Sequence, residues 1–124
     1  MIKYTLDIKL PSLNEVINAN RTHQMAGAKL KKTIEDELCW LIKSQGLKRI
    51  TRPCIVHIKW QEKDKRRDVD NIISSQKFIL DSLVKMGVLP DDNQKWVKQI
   101  VPIVETSKDK KYKVIIELEE EENV

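Results

Sequence analysis

The chain is poor in the residues on which many binding and catalytic schemes depend. It holds two cysteines, two histidines, three glycines and one phenylalanine in 124 residues. Cys39 and Cys54 lie in apolar stretches without metal-ligand spacing. They read as buried thiols of a reducing compartment, which sets aside a disulfide framework and a zinc site. His23 and His57 are too few for a His-rich metal site. There is no long apolar run, and the first ten residues, MIKYTLDIKL, alternate apolar and polar. They suit neither a signal peptide nor a membrane span, so a cytoplasmic location is expected. No internal repeat or linker divides the chain, and its length fits one domain.

Charge, by contrast, is abundant: 34% of residues are Asp, Glu, Lys or Arg, and the net charge is +4. That balance hides an asymmetry. Glu117, Glu119, Glu120, Glu121 and Glu122 crowd the end, so the body is more basic than the whole. The expected organisation is a domain over residues 1–118 and a solvated, disordered acidic tail over 119–124. A basic body suits a polyanion such as nucleic acid. Composition alone weighs that equally with a surface made basic for solubility.

Apolar periodicity supplies the elements. Ile2, Tyr4, Leu6, Ile8 and Leu10 repeat at two, the mark of a half-buried strand. Residues 11–24, PSLNEVINANRTHQ, read as a polar loop, and long loops in small domains are often functional. Leu30, Ile34, Leu38, Leu41 and Ile42 predict a helix over 25–45, ended by Gly46. Residues 54–60 read as a second strand and 70–86 as a second helix closed by Gly87. Further strands are predicted over 96–104 and 111–118, joined by a hairpin connection at Thr106–Lys110 that has no Asn-Gly or Asp-Gly signal. The order β-α-β-α-β-β indicates an α+β domain, a mixed sheet of about four strands packed with two main helices.

The chemistry concentrates in Lys65-Arg66-Arg67-Asp68-Val69-Asp70-Asn71. Asp68 and Asp70 are two apart, so an extended backbone would point both carboxylates one way. Such a pair at the mouth of a helix suits a hard cation such as Mg²⁺. Asp91-Asp92 could add a third carboxylate from the turn after the helix. On a continuous helix, Asp70, Ser74, Lys77 and Asp81 share one face. Lys77 could then stabilise charge developing on a phosphate. Lys63, Lys65, Arg66 and Arg67 could hold a backbone that carboxylates alone would repel. Taken singly, each aspartate is better read as a helix cap or turn residue, and Lys77 as a solvated side chain. The combination is what points to metal-assisted chemistry. One geometric obstacle stands out: a helix of about 17 residues spans roughly 25 Å. Asp92 can approach Asp70 only if the chain folds back after Gly87, or if it serves the site of a second subunit.

The strings RRDVDN (66–71), KFILDSL (77–83), Gly87 and LPDDNQ (89–94), with Pro11-Ser12, Asn14 and Arg21-Thr22-His23 before them, resemble the RusA family of Holliday junction resolvases, the crossover junction endodeoxyribonucleases. The likeness covers most of the chain in order. It implies a homodimeric, Mg²⁺-dependent endonuclease, with Mn²⁺ able to substitute, that resolves four-way DNA junctions by paired symmetric nicks in recombination and repair. It implies metal-binding, catalytic roles for Asp68, Asp70 and Asp92, with Asp91 the lesser choice for the third. The family's lysine lies one helical turn after the second aspartate, where this chain has Ser74, so the role passes to Lys77. DNA contacts are expected from Lys65, Arg66, Arg67, Asn71, Asn14, Arg21 and His23, with Lys29, Lys31 and Lys32 as further holders of the junction arms. Trp40, Trp60 and Trp96 could stack on unpaired bases; core packing is the better account of Trp40. The competing reading is a non-catalytic nucleic-acid-binding protein of phage or prophage origin.

Overall fold

The alternation in the first residues holds in three dimensions. Strand β1 (Ile2–Leu6) buries Ile2, Tyr4 and Leu6 and exposes Lys3 and Thr5. The computed structural model describes residues 1–22 and 24–122. Helices α1 (Leu13–Thr22) and α2 (Gln24–Ser44) follow, then β2 (Cys54–Glu62), α3 (Val69–Ile73), α4 (Gln76–Lys85), β3 (Val97–Thr106) and β4 (Lys113–Glu120). The strands form one mixed sheet in the order β1-β4-β2-β3. The fold is therefore the expected α+β domain with a four-stranded mixed sheet. Among the described residues, no helix is long and apolar enough to cross a membrane.

Helices cover one face of the sheet. Cys54, Val56, Ile58 and Trp60 of β2 and Val114, Ile116 and Leu118 of β4 are buried beneath them, with Leu38, Ile42, Ile79 and Leu83 supplied by α2 and α4. Cys39 and Cys54 are free and buried, as expected. Burial pushes the Cys54 thiol up to about 11, which keeps it protonated and inert.

Five sequence expectations need correction. Residues 11–24 are not a loop, because α1 starts at Leu13. Its start is fixed by a reciprocal pair: the Glu15 amide donates to Ser12 Oγ (3.3 Å), and Ser12 Oγ donates to Glu15 Oε1 (3.3 Å). Ser-x-x-Glu is a capping box, the signal that marks this helix in the sequence. The predicted hairpin is also absent. β3 pairs with β2 in parallel, while β4 pairs antiparallel with both β1 and β2. The Ser107–Tyr112 connection thus passes over the end of β2. A parallel β2–β3 pair needs a crossover, and α3 with α4 provides it. Pro102 sits in β3, an edge strand, where a missing amide donor is tolerated and further pairing is discouraged.

The tail does not begin at residue 119. β4 continues through Glu120 because its acids have partners: Glu119 Oε2 lies 2.9 Å from His57 Nε2, and Glu120 Oε2 accepts from the Thr51 amide and hydroxyl. Trp40 is not a core residue and is 67% exposed, since Leu38, Cys39 and Ile42 take the buried stripe. Trp60 is the buried tryptophan.

The fifth correction concerns the second helix, which is broken at Ser74–Ser75. Trp60 Nε1 donates to Ser75 Oγ (2.9 Å), and that hydroxyl donates to the Ile72 carbonyl (2.8 Å). The Ser75 and Phe78 amides bond three residues back, to Ile72 and Ser75. This tighter turn separates α3 from α4. At the far end, Gly87 adopts φ +76°. The Val88 amide then returns to the Leu83 carbonyl (2.9 Å), and Val88 and Leu89 enter the core. Gly87→Ala is expected to cost about 1–2 kcal/mol through its left-handed backbone, lowering the melting temperature by several degrees. An unchanged melt would contradict this backbone assignment.

Candidate functional site

The Asp68 segment leaves the C-terminal end of β2. Asp68 is the N-cap of α3, with φ −70° and ψ 147°, yet its side chain makes no cap hydrogen bond. Among the described residues its exposed carboxylate has no hydrogen bond or ion pair, so the cap role open to it is not used. Asp70 is also exposed, and its Oδ1 accepts the Asn71 amide at 2.9 Å. Lys65 is exposed beside them. Arg66 is exposed too, held loosely by Asp64 (3.5 Å).

Arg67 behaves differently from its neighbours. Its side chain is 17% exposed and forms a two-pronged pair with Glu62, Nε to Oε1 and Nη2 to Oε2, both at 2.8 Å. Nη1 donates to the Leu10 carbonyl (2.8 Å) and lies 3.8 Å from Glu15 Oε1. These bonds, Glu62 foremost, hold the guanidinium above its usual pKa. Arg67, expected to contact DNA, is engaged within its own chain: it ties the Asp68 segment to the Leu10 segment after β1, to β2 and to α1. Its sequence neighbours pointed to phosphate, and the buried Glu62 that claims it became visible only in the fold.

A second cluster lies on α4. Lys77 Nζ is 3.0 Å from Asp81 Oδ1 and 3.0 Å from Asp92 Oδ2. The chain does fold back after Gly87, bringing Asp92 to Lys77. The two acids of the turn divide their tasks. Asp91 accepts from the Asp92 amide (2.7 Å) and from Asn93 Nδ2 (3.2 Å), closing the turn, while Asp92 faces the lysine. Asp81, given no role from sequence, is a full member of this cluster. Ser74, at the position of the family's lysine, donates to the Asn71 carbonyl (2.6 Å). A cleft of about 240 Å³ beside Lys77 is lined by Leu13, Lys31, Ser74 and Asp81 among others.

Asp68, Asp70 and Asp92 do not converge. Among the described residues, no three acidic, histidine or cysteine side chains group as a metal-ligand set, and no ion pair joins Lys77 to Asp70. Asp70 lies on α3 and Lys77 on α4, either side of the Ser74–Ser75 break, and Asp92 is engaged by Lys77 from the turn after α4. Asn14 and Arg21 are exposed on α1, whose first turn contacts Arg67 through Glu15. His23 lies outside the described residues.

The hydrogen bond from Lys77 holds Asp92 below the usual aspartate value of 3.8, and Asp81 and Asp92 hold the Lys77 ammonium above 10.5. A depressed carboxylate contributes stability above its unfolded pKa, and a raised ammonium contributes below its own. The contribution therefore spans the window between about 3.8 and 10.5 and fades outside it. Lys77 is 69% exposed, so solvent keeps it small. In Lys77→Met, an NMR titration of the side-chain carboxyls is expected to show Asp92 rising toward 3.8. An unmoved Asp92 would mean that the pair does not form in solution.

A scan of protein-family models finds no match to this chain, and a search of curated proteins finds none.

Proposed function

We propose that the chain is a metal-dependent, structure-selective endodeoxyribonuclease of the RusA type, acting as a homodimer on four-way DNA junctions. The observation that carries the reading is Asp68. It stands at a helix start without capping it, exposed beside Asp70, with Lys65 and Arg66 free to face solvent.

Two exposed carboxylates fit Mg²⁺, which commonly takes one or two carboxylates and completes its shell with water and phosphate oxygens. Asp68 and Asp70 would hold the ion, with Mn²⁺ able to replace it. When bound, it supplies a lowered pKa for water and offsets charge on the phosphate. Lys65 and Arg66 would hold the DNA backbone close to these acids and position it without reading sequence. Lys77 keeps its ammonium protonated across the physiological range and is the cation that can meet phosphate charge. Asp92 orients that ammonium from the turn after α4. Two copies related by a two-fold axis would nick opposite strands symmetrically.

A second reading, a non-catalytic nucleic-acid-binding protein, draws support from the Lys77–Asp92 pair. Asp92 is already neutralised by its own chain and stands apart from Asp68 and Asp70. The deciding experiment is incubation of a synthetic four-way junction and a matched linear duplex with the protein, in Mg²⁺ and in chelator. Paired, metal-dependent nicks in the junction alone support the resolvase. Tight junction binding without cleavage of any branched substrate leaves the binding protein.

A further inference from the structure

We propose that the open cleft between the exit of β1 and the Ser107–Lys113 turn binds the phosphodiester backbone of a duplex DNA arm. The proposal rests on the reading of this chain as a DNA-binding nuclease and assigns it a surface not among the residues expected to contact DNA.

Sheet register places the cleft. Leu6 pairs with Val114, which is in register with Trp60 near the end of β2, and Glu62 pairs with Thr106 at the end of β3. The end of β1, the start of β4 and the end of β2 therefore share one end of the sheet, the end from which the Asp68 segment departs. The cleft holds about 580 Å³, and Lys9, Lys110, Lys111 and Lys113 line it with Asp7 as the opposing acid. Lys108 is exposed on the same turn.

These cations are displayed on a shaped turn. Asp109 accepts from Ser107 Oγ and from the Lys111 amide, and Lys110 adopts φ +57°. Lys113 lies 3.9 Å from Asp109. Among the described residues, Lys9, Lys108, Lys110 and Lys111 have no ion pair. Lys9, Lys108, Lys110, Lys111 and Lys113 outnumber the two acids beside them, Asp7 and Asp109, and a polyanion that displaces their counterions relieves the repulsion that remains.

Arg67 connects the cleft to the candidate site. Its guanidinium carbon lies 5.8 Å from the centre of the Tyr112 ring, and Lys9 Nζ lies 5.0 Å from the same centre. Arg67 directly precedes Asp68, so a strand held on the lysines continues toward the two carboxylates. With no base-reading group required, the cleft suits backbone rather than sequence.

The test compares wild type, Lys9→Gln/Lys110→Gln/Lys111→Gln, and a control with the same charge loss elsewhere, Lys3→Gln/Lys48→Gln/Lys98→Gln. Binding of a fluorescent four-way junction is measured across a salt series, with thermal melts alongside. The cleft variant is expected to bind at least about tenfold more weakly, with a salt slope shallower by about 2 to 3, one counterion per lost phosphate contact. Its melt should match wild type, and the control should lose less affinity. If wild type binds the junction and the cleft variant keeps both affinity and slope, or falls no further than the control, the cleft assignment is overturned and the nuclease reading survives. If wild type binds no DNA, both fall.

Discussion

Arg67→Ala is expected to lower the stability of this domain by about 3–5 kcal/mol, the cost of leaving a buried carboxylate without its partner. Glu62 is 6% exposed at the side chain, and both its oxygens accept from Arg67 at 2.8 Å. Removing the guanidinium also strands the Leu10 carbonyl and frees the start of α1 at Glu15. For a chain of this length the melting temperature should fall by roughly 10–20 °C. Glu62→Gln/Arg67→Met should recover much of the loss, because the isolated charge is the main penalty. Arg67→Lys should fall between, since one ammonium cannot make the two-pronged bond. Thermal melts of the four proteins decide the matter. A melt of Arg67→Ala equal to wild type, with weakened junction binding, would return Arg67 to the DNA-contacting residues.

Asp70→Asn is expected to reduce junction cleavage by at least about a hundredfold, the scale reached when even an outer-shell partner of a metal is lost. The substitution keeps shape and side-chain polarity. Asn71's amide can still donate to the remaining oxygen, so folding should be unaffected. Junction affinity should hold or rise, because one charge repelling phosphate is gone. The same pattern is expected for Asp68→Asn, whose carboxylate has no structural partner to lose. Asp92→Asn should act differently, by releasing the Lys77 ammonium. A full loss of cleavage in Asp70→Asn with parallel loss of binding would indicate a damaged fold. Cleavage unchanged in both Asp68→Asn and Asp70→Asn would remove the pair from the chemistry.

Much of this architecture follows from local pattern. Period-two alternation marks β1, apolar spacing marks α2, and Gly87 marks the end of α4, because each is a property of neighbouring residues. α1 could have been found by the same means, since Ser12 and Glu15 form its capping box. The extension of β4 through Glu120 was not legible for a related reason. Repulsion among glutamates is local, whereas the partners that hold Glu119 and Glu120 come from β2 and from the Thr51 turn.

The candidate site divides along the same line. Sequence by itself determined the inventory: two aspartates beside a basic run, a lysine on the following helix, and an acidic turn beyond it. Tertiary structure alone decided which of them meet. Trp60, on β2, captures the Ser75 hydroxyl and breaks the helix. Asp92, carried back by the turn after Gly87, meets Lys77 beside its local partner Asp81, while Asp70 stays outside the pair. Glu62, buried at the end of β2, takes Arg67 out of the exposed basic run. The sheet order turns an expected hairpin into a crossing connection and brings its lysines beside β1. Trp60 and Ser75, like Lys77 and Asp92, are 15 residues apart, and Glu62, though only five residues from Arg67, claims it because burial makes an unmet carboxylate too costly.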